Sequence, residues 1–394
     1  MDEYQEVNRV GVIGGGQLAW MMADGAEALN IELHVQTPSY EDPAVVIAHT
    51  TLIGEVDDAT VTAQLAEHCD VITFENEFID LSALRQLAEQ IERQTDKRKA
   101  MFAPSLDALS PLLDKYDQRL YCDRLQLPSP PFTTLQSQAD LPSLAEKVAS
   151  IGLPLALKTR RHGYDGQGTF ILKTLADVEA TWKQLGYQPV LLEAFVEFEK
   201  ELAIMVARTA AGEVAVYPVV ETEQIDQVCR RVIAPARVDS AIAEKVRAIA
   251  TTLITHLKFV GVLGIELFLT AQGKVTINEI APRTHNSGHY TLDACVTSQF
   301  EQQLRAVSNR PLGSTDLTRA GAVMVNLLGT DSTTSDYQSK REALSKIPDA
   351  HVYWYGKKRS RPGRKMGHVT ILTDTPNDDE AIAKAIKAVE DLWY

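Results

Sequence analysis

The chain has 394 residues, with 39 Lys or Arg against 53 Asp or Glu and a formal net charge of −14. Its length predicts two or three domains, and 45% hydrophobic with 23% charged residues is the balance of a folded enzyme, not of a disordered chain. The acidic field repels nucleic acid, no stretch reaches the roughly 18 apolar residues that span a bilayer, and the polar opening Met1 to Arg9 is unlike a signal peptide. Cys69, Cys122, Cys229 and Cys295 lie far apart with no CxxC pair. That argues against a disulfide framework or a cysteine zinc site and fits a reducing cytoplasm.

The first hundred residues alternate strand and helix signals. Val10–Ile13 reads as a strand that runs into Gly14-Gly15-Gly16, and a helical pattern follows from Gln17 to Leu29. Ile31 to Gln36 and Val71 to Phe74 read as strands, and Val61 to Glu67 and Leu81 to Gln90 as helices. This rhythm predicts βαβ units on a parallel sheet. Ser105 to Leu127 is helical in pattern with a break near Pro111, and Pro128-Ser-Pro-Pro131 is a rigid connection. A helix (141–151), a strand (155–158), a glycine-rich loop, a strand (169–172) and a helix (175–185) complete a small α+β segment. Strands are expected at 190–194, 202–207 and 214–219, a helix at 241–257, and an antiparallel pair at 264–269 and 275–280 around the turn Ala271-Gln-Gly273. More strands and a helix at 378–392 end the chain. The expected division is 1–104, 105–190 and 191–394.

Six motifs carry chemical expectations. Gly11-Val-Ile-Gly14-Gly15-Gly16-Gln17 joins a strand to a helix, where glycines let backbone N–H groups approach an anion. Its spacing is not GxGxxG: Ala19 stands at the third glycine, and the next strand ends at Gln36, without the acid that holds a ribose. A nicotinamide-dependent oxidoreductase is therefore the weaker alternative. Glu75-Asn76-Glu77 lies at the carboxyl end of a parallel strand, either a ligand acceptor or a helix-entry acid. Lys158 to Gly168 holds three cations and three glycines in eleven residues, suited to closing over phosphates and without a Walker A Gly-Lys-Ser/Thr. Glu266 and Glu279 sit on the two strands of the expected hairpin, with Asn278 beside Glu279. Facing acids repel unless a cation lies between them, and hard oxygen ligands suit Mg²⁺. Arg283-Thr-His285-Asn286-Ser-Gly-His289 is a crowded polar tract directly after. Lys357 to Lys365 packs six cations into nine residues of an acidic chain, a site for a small anion.

In this order the motifs resemble the ATP-grasp ligases and, more narrowly, the N5-carboxyaminoimidazole ribonucleotide synthetase family of purine biosynthesis. The residues that carry the resemblance are Gly14-Gly-Gly-Gln-Leu18, Phe74-Glu-Asn-Glu77, Gly163-Tyr-Asp-Gly166, Asn278-Glu-Ile-Ala-Pro-Arg283, His285-Asn-Ser-Gly-His289 and Gly363-Arg-Lys-Met-Gly-His368. The resemblance implies a three-domain ATP-grasp fold, α/β and α+β, with an N-terminal Rossmann-like pre-ATP-grasp domain, and a cytoplasmic homodimer. It implies ATP- and bicarbonate-dependent carboxylation of 5-aminoimidazole ribonucleotide through carboxyphosphate. By the same resemblance Lys115, Lys158 and the loop Gly163, Gly166, Gln167 and Gly168 hold ATP phosphates. The backbone of Glu193, Ala194, Phe195 and Val196 meets adenine, Glu201 the ribose, and Asn278 belongs to the same nucleotide site. Glu266 and Glu279 hold Mg²⁺, and Glu75, Tyr164, Asp165, Arg283, His285 and Asn286 surround bicarbonate and the ribonucleotide. Lys357, Arg364 and Lys365 take its 5′-phosphate, with Gly15, Gly16, Gln17 and Leu18 nearby. The chain departs from the family pattern at Ala19-Trp20, His162 and Gln167, so Arg160 or Arg161 is the alternative lid cation. Another ATP-grasp ligase, such as a formate-dependent glycinamide ribonucleotide transformylase, is the alternative function.

Overall fold

A computed structural model describes residues 6–93, 100–161, 163, 168–375 and 378–394. The first sheet is parallel, in the order Thr50–Ile53, Glu32–Thr37, Arg9–Ile13, Val71–Phe74 and Met101–Phe102. The apolar runs Val10–Ile13 and Val71–Phe74 lie at its centre, buried as strands covered on both faces must be. The half-buried edge strand Thr50–Ile53 escapes the sequence pattern, because an edge needs no continuous apolar run. The helix expected over 17–29 is two pieces, Gln17–Trp20 and Ala23–Leu29. Between them the Met22 N–H closes on Ala19, a tighter turn that ends the first piece.

The segment 105–127 breaks, as expected, near Pro111. It forms Leu106–Leu109, a 3-10 turn Ser110–Leu112, and the helix Lys115–Arg124. Asp114 caps that last helix by accepting from the N–H groups of Tyr116 and Asp117. A second, antiparallel sheet runs Phe132–Leu135, Val190–Ala194, Leu155–Thr159, Thr169–Leu172. Its core is Trp182, Val178, Val148 and Leu144 from the helices Leu175–Gln184 and Leu144–Ile151. Val190–Ala194, which the sequence reading assigns largely to the following segment, is an inner strand of this sheet. Its partner Phe132–Leu135 follows the Pro-rich connection and had shown no signal, since a four-residue strand carries too few alternations to register.

The third sheet has nine strands. Along its main path they are Val275–Ala281, Gly261–Leu269, Lys200–Arg208, Val220–Ile225, Val228–Ala234, Gly321–Leu328, Lys365–Thr373 and Ala350–Trp354, and Val214–Val216 joins alongside. The expected hairpin 264–269/275–280 is therefore one edge of a sheet that runs continuously into the strand carrying Lys365. Glu266 and Glu279 are direct cross-strand partners, and the register then shifts, leaving Asn278 as the extra residue of a bulge. The long helix Ser240–Leu257 lays Val246, Ile249, Ala250, Leu253 and Ile254 on this core. The helix Gln299–Val307 joins the first and third sheets: Gln303 donates to Thr73 Oγ1 (2.8 Å) and accepts from Val262 N–H (2.6 Å). No helix among the described residues is long and apolar enough to cross a membrane.

Candidate active site

The carboxyl ends of Arg9–Ile13 and Val71–Phe74 meet at Gly14–Leu18 and Glu75. Glu75 accepts from the N–H groups of Gly16 (2.7 Å) and Leu18 (3.1 Å), so the glycine loop wraps a carboxylate of its own chain. Gly14 has φ +111°, and a Cβ there would lie 2.6 Å from Glu75 Oε2, so this turn requires glycine. Burial pushes the Glu75 carboxyl up, and the two N–H groups, Arg283 and Lys357 pull it down. Gly15, Gly16, Gln17 and Leu18 thus stand beside Arg283 and the basic tail.

Asn76 accepts from the N–H of Phe78 (3.0 Å), an Asx turn that sends Glu77 away from Glu75. Glu77 meets Arg283 fork to fork: Nε donates at 2.7 Å and Nη2 at 3.3 Å, while Nη1 donates to Thr284 O at 3.1 Å. Burial would raise the Glu77 carboxyl, but Arg283 holds it below the ordinary range.

A second set of charges comes from the small sheet and the helix Lys115–Arg124. Lys158 Nζ lies 2.7 Å from Glu193 and donates to Asn278 Oδ1 at 3.0 Å. Arg119, fully buried, donates to Glu193 on its other side and to the Asn278 carbonyl. Burial opposes ionisation of Glu193, yet Arg119 and Lys158 hold its carboxyl down at about 2. The Glu193 side chain is therefore a counter-ion for two cations. Of the backbone groups expected to meet a base, the N–H groups of Ala194 and Phe195 already donate to Pro131 O and Pro154 O. Phe195 is exposed, and Val196 is half-buried.

Lys115 Nζ is 2.7 Å from Glu279, and this cation holds the Glu279 carboxyl below the ordinary range against burial. Glu266, its cross-strand partner, lies 3.7 Å from His285 Nε2. Burial, then repulsion by Glu279 and Glu201, pushes Glu266 up to about 7. Glu201 on the neighbouring strand is likewise pushed by burial to about 7. Glu266 and Glu279, the first reluctant to ionise, form a carboxylate pair that would offer oxygen ligands to a hard cation. Among the described residues no group of three or more His, Cys, Asp or Glu is arranged to hold a metal ion by itself.

His285 is fixed from several sides: its backbone exchanges hydrogen bonds with the Gln299 amide, and Nδ1 lies 2.8 Å from Ser287 Oγ. Asn286 is buried and exchanges two amide hydrogen bonds with Asn326 (2.9 and 2.8 Å). The basic tail arrives through the third sheet. Lys357 donates to the Lys365 carbonyl (2.9 Å), and Arg364 to the Arg359 carbonyl. Lys357 stabilises the charge of Glu75, and Lys365 that of Glu266. Lys358 instead pairs with Glu41 at 2.6 Å, on the surface. Gly163 lines a small pocket with Lys115, Arg160, Arg161 and Glu279, and the Gly168 carbonyl accepts from Thr159 N–H (2.8 Å). Tyr164, Asp165, Gly166 and Gln167 lie outside the described residues.

Arg119, Asn326 and the partnership of Glu77 with Arg283 were not anticipated. Arg119 had a signal: Gln118, Arg119 and Cys122 form the buried stripe of the helix Lys115–Arg124, and a charge on such a stripe requires a buried partner. Asn326 had one too, as the amide inside the apolar strand Gly321–Leu328.

Residues 7–101 match the family model of the ribonucleotide synthetase preATP-grasp domain, 120–300 the ATP-grasp domain, and 322–383 the phosphoribosylaminoimidazole carboxylase C-terminal domain. An N5-carboxyaminoimidazole ribonucleotide synthase of Synechococcus elongatus is 50% identical over 390 residues, 98% of this chain and 96% of that one. A protein of the same name from Synechocystis sp. is 48% identical over 404 residues, 99% of each. Among solved structures, an N5-carboxyaminoimidazole synthase of Aspergillus clavatus in complex with ADP and 5-aminoimidazole ribonucleotide superposes with a TM-score of 0.87. It is 32% identical over 98% of this chain and 99% of that one.

Proposed function

The chain belongs to the N5-carboxyaminoimidazole ribonucleotide synthase family of ATP-grasp ligases, and from that premise we propose that it uses ATP and bicarbonate to carboxylate the N5 amine of 5-aminoimidazole ribonucleotide. The observation that supports this reading is that Lys365 of the basic tail begins a strand of the sheet that carries Glu266 and Glu279, with Lys365 stabilising the charge of Glu266 and Lys357 that of Glu75. A nucleotide site and a monophosphate site are thereby neighbours, although their residues lie far apart in the chain.

Lys115 and Lys158 are the cations for the ATP phosphates. Glu266 and Glu279 would hold Mg²⁺, which supplies charge neutralisation of the phosphates when bound. Bicarbonate oxygen attacks the γ-phosphorus and ADP leaves, giving carboxyphosphate; its C–O bond to phosphate then breaks to CO₂ and phosphate. The N5 amine adds to CO₂ and loses one proton. Arg283, next to Glu75 and Glu77, supplies donors to the carboxyl oxygens, and the crowded setting of His285 and Asn286 keeps water from the labile intermediate. Asp165 or the released phosphate takes the proton. Lys357, Arg364 and Lys365 hold the ribonucleotide 5′-phosphate. The segment 1–104, the segment from 105 through the strand Val190–Ala194, and the remainder to 394 serve as the Rossmann-like, lid and catalytic domains of a cytoplasmic homodimer.

The test is ADP release with ATP, Mg²⁺ and bicarbonate, with and without 5-aminoimidazole ribonucleotide. Release that depends on the ribonucleotide, with carbon from labelled bicarbonate in the product, is the expected result. Release that responds instead to formate and glycinamide ribonucleotide would overturn the assignment.

A further inference from the structure

We propose that Glu77 is a positioning residue for Arg283. It fixes one edge of the guanidinium so that the other edge meets the carboxyl oxygens of bicarbonate and of the anion formed from it. This role presupposes the reading above, in which Arg283 faces that co-substrate.

Arg283 stands among three carboxylates. Glu77 touches it, while Glu75 and Glu279 act on its charge from further off. Both of these more distant acids have other work: Glu75 clasps the N–H groups of Gly16 and Leu18, and Glu279 pairs with Lys115 at 2.7 Å. A guanidinium that collapsed onto Glu75 would compete for the oxygens that hold the glycine loop. One that collapsed onto Glu279 would displace Lys115 and neutralise a carboxylate of the paired acids. Glu77 removes both outcomes by binding Arg283 more closely than either.

The bonding pattern decides which donors remain. A guanidinium has five N–H groups in one plane. Glu77 takes the Nε–Nη2 edge, and the Thr284 carbonyl takes one hydrogen of Nη1. We take the Thr284 carbonyl to hold the Nη1 hydrogen on the Cδ side; among the described residues the remaining N–H of Nη1 and that of Nη2 then form the end edge, spaced to meet a planar oxyanion with two parallel bonds. Bicarbonate is such an anion, and the phosphates have Lys115, Lys158, Lys357, Arg364 and Lys365 for their own partners in the reading above. The local sequence builds this arrangement. The Asx turn of Asn76 lets two acids separated by one residue face different partners, Glu75 the loop and Glu77 an arginine 206 positions away.

The experiment is steady-state ADP release by Glu77→Ala, Glu77→Gln, Arg283→Ala and the double variant Glu77→Ala/Arg283→Ala, varying each substrate in turn. Glu77→Ala should raise the KM for bicarbonate roughly tenfold and lower kcat, with the KM for ATP changed by less than about threefold. Glu77→Gln keeps the shape and one acceptor, so its loss should fall between wild type and Ala. In the Arg283→Ala background, Glu77→Ala should add less than about a twofold further loss, because its effect passes through the arginine. An unchanged bicarbonate KM in Glu77→Ala, or losses that multiply in the double variant, would overturn the proposal. Should the Ala variant not fold, Glu77→Gln with and without Arg283→Ala provides the same comparison. A wild-type protein with no ribonucleotide-dependent ADP release would refute the functional reading itself, before any variant is compared.

Discussion

Replacing Glu266 by Gln should stabilise the ligand-free protein at neutral pH while abolishing its activity. Glu266 faces Glu279 across the hairpin; Lys115 contacts Glu279 at 2.7 Å, while Glu266 lies 3.7 Å from His285 Nε2. Burial and the two neighbouring acids raise its carboxyl from 4.5 to about 7. A carboxyl raised in the folded state binds its proton more tightly there than in the unfolded chain. Its contribution to stability is therefore full below pH 4.5 and is lost as pH rises through about 7. That shift corresponds to an upper limit on the order of 3 kcal/mol at pH 8; relaxation of Glu201 and Lys365 around the charge reduces it, so about 1–3 kcal/mol is expected. Glutamine carries no charge at any pH and avoids this cost.

With an unfolding entropy of roughly 2 cal/mol/K per residue, the Gln variant should melt about 1–4 °C above wild type at pH 8. At pH 5, where Glu266 is protonated when folded but mostly ionised when unfolded, the difference should shrink to roughly a quarter of that. The assay is the apparent Tm of both proteins across that range, with and without Mg·ATP. The ligand should reverse the order, because wild type alone offers two ionised carboxylates to the cation. A Gln variant less stable than wild type at pH 8, or a difference the same at pH 5 and pH 8, would refute the charge-repulsion account.

Three further outcomes follow from the charges and amides around the site. Arg364→Ala and Lys365→Ala should each raise the KM for the ribonucleotide about ten- to a hundredfold, for the loss of roughly 1.5–3 kcal/mol of charge-assisted bonding, and change that for ATP much less; equal effects on both substrates would make the tail a nucleotide element. Arg119→Met should lower the urea midpoint, because Glu193 then stays buried with Lys158 as its one contacting cation, a loss of roughly 3–5 kcal/mol; an unchanged midpoint would show that Lys158 alone suffices. Asn326→Leu should leave the Asn286 amide without its reciprocal partner, destabilise by about 1–3 kcal/mol, and lower kcat more than it raises the KM for ATP; thermal unfolding and initial rates check both.

Much of the site was legible in the sequence because its residues violate local expectation. Glutamates inside apolar strands, three glycines in a row and six cations on an acidic chain all demand partners, but alternation from the turn alone would set Glu266 opposite Asn278, and it is the bulge at Asn278 that brings Glu279 opposite Glu266. The strands with continuous apolar runs, such as Val71–Phe74 and Val190–Ala194, were equally plain. What stayed hidden was long-range pairing. Nothing near position 193 says that its carboxylate serves Arg119, 74 residues earlier, and nothing near 77 points to 283. The extension of the third sheet into the strand Lys365–Thr373 was hidden for the same reason. Sheet order is a property of the packed core, and local pattern specifies faces but not neighbours. Short edge strands such as Thr50–Ile53 and Phe132–Leu135 carried too little pattern for either.

The charge pairs suggest how an acidic protein can bind a nucleoside triphosphate, bicarbonate and a sugar phosphate. Lys115 rests on Glu279, Lys158 on Glu193, Arg160 on Asp114 and Arg283 on Glu77. Each cation is held in a defined place by an internal carboxylate, which lowers the ordering entropy still to be lost when an anion arrives. The arrangement also discriminates. A weakly charged anion cannot compete with a carboxylate already in contact, whereas a triphosphate with its cation can draw Lys115 from Glu279 and at once give that carboxylate a new partner. A cation held between Glu266 and Glu279 would offset the repulsion that adds to burial in raising Glu266 to about 7, and a phosphate would take over Lys115. Arg283 differs from the lysines in this respect. Its contact with Glu77 is made along one edge only, so it can meet an oxyanion without giving up its partner. The lysines are thus suited to an exchange of counter-ions on nucleotide binding, and the arginine to holding a fixed geometry throughout the chemical steps.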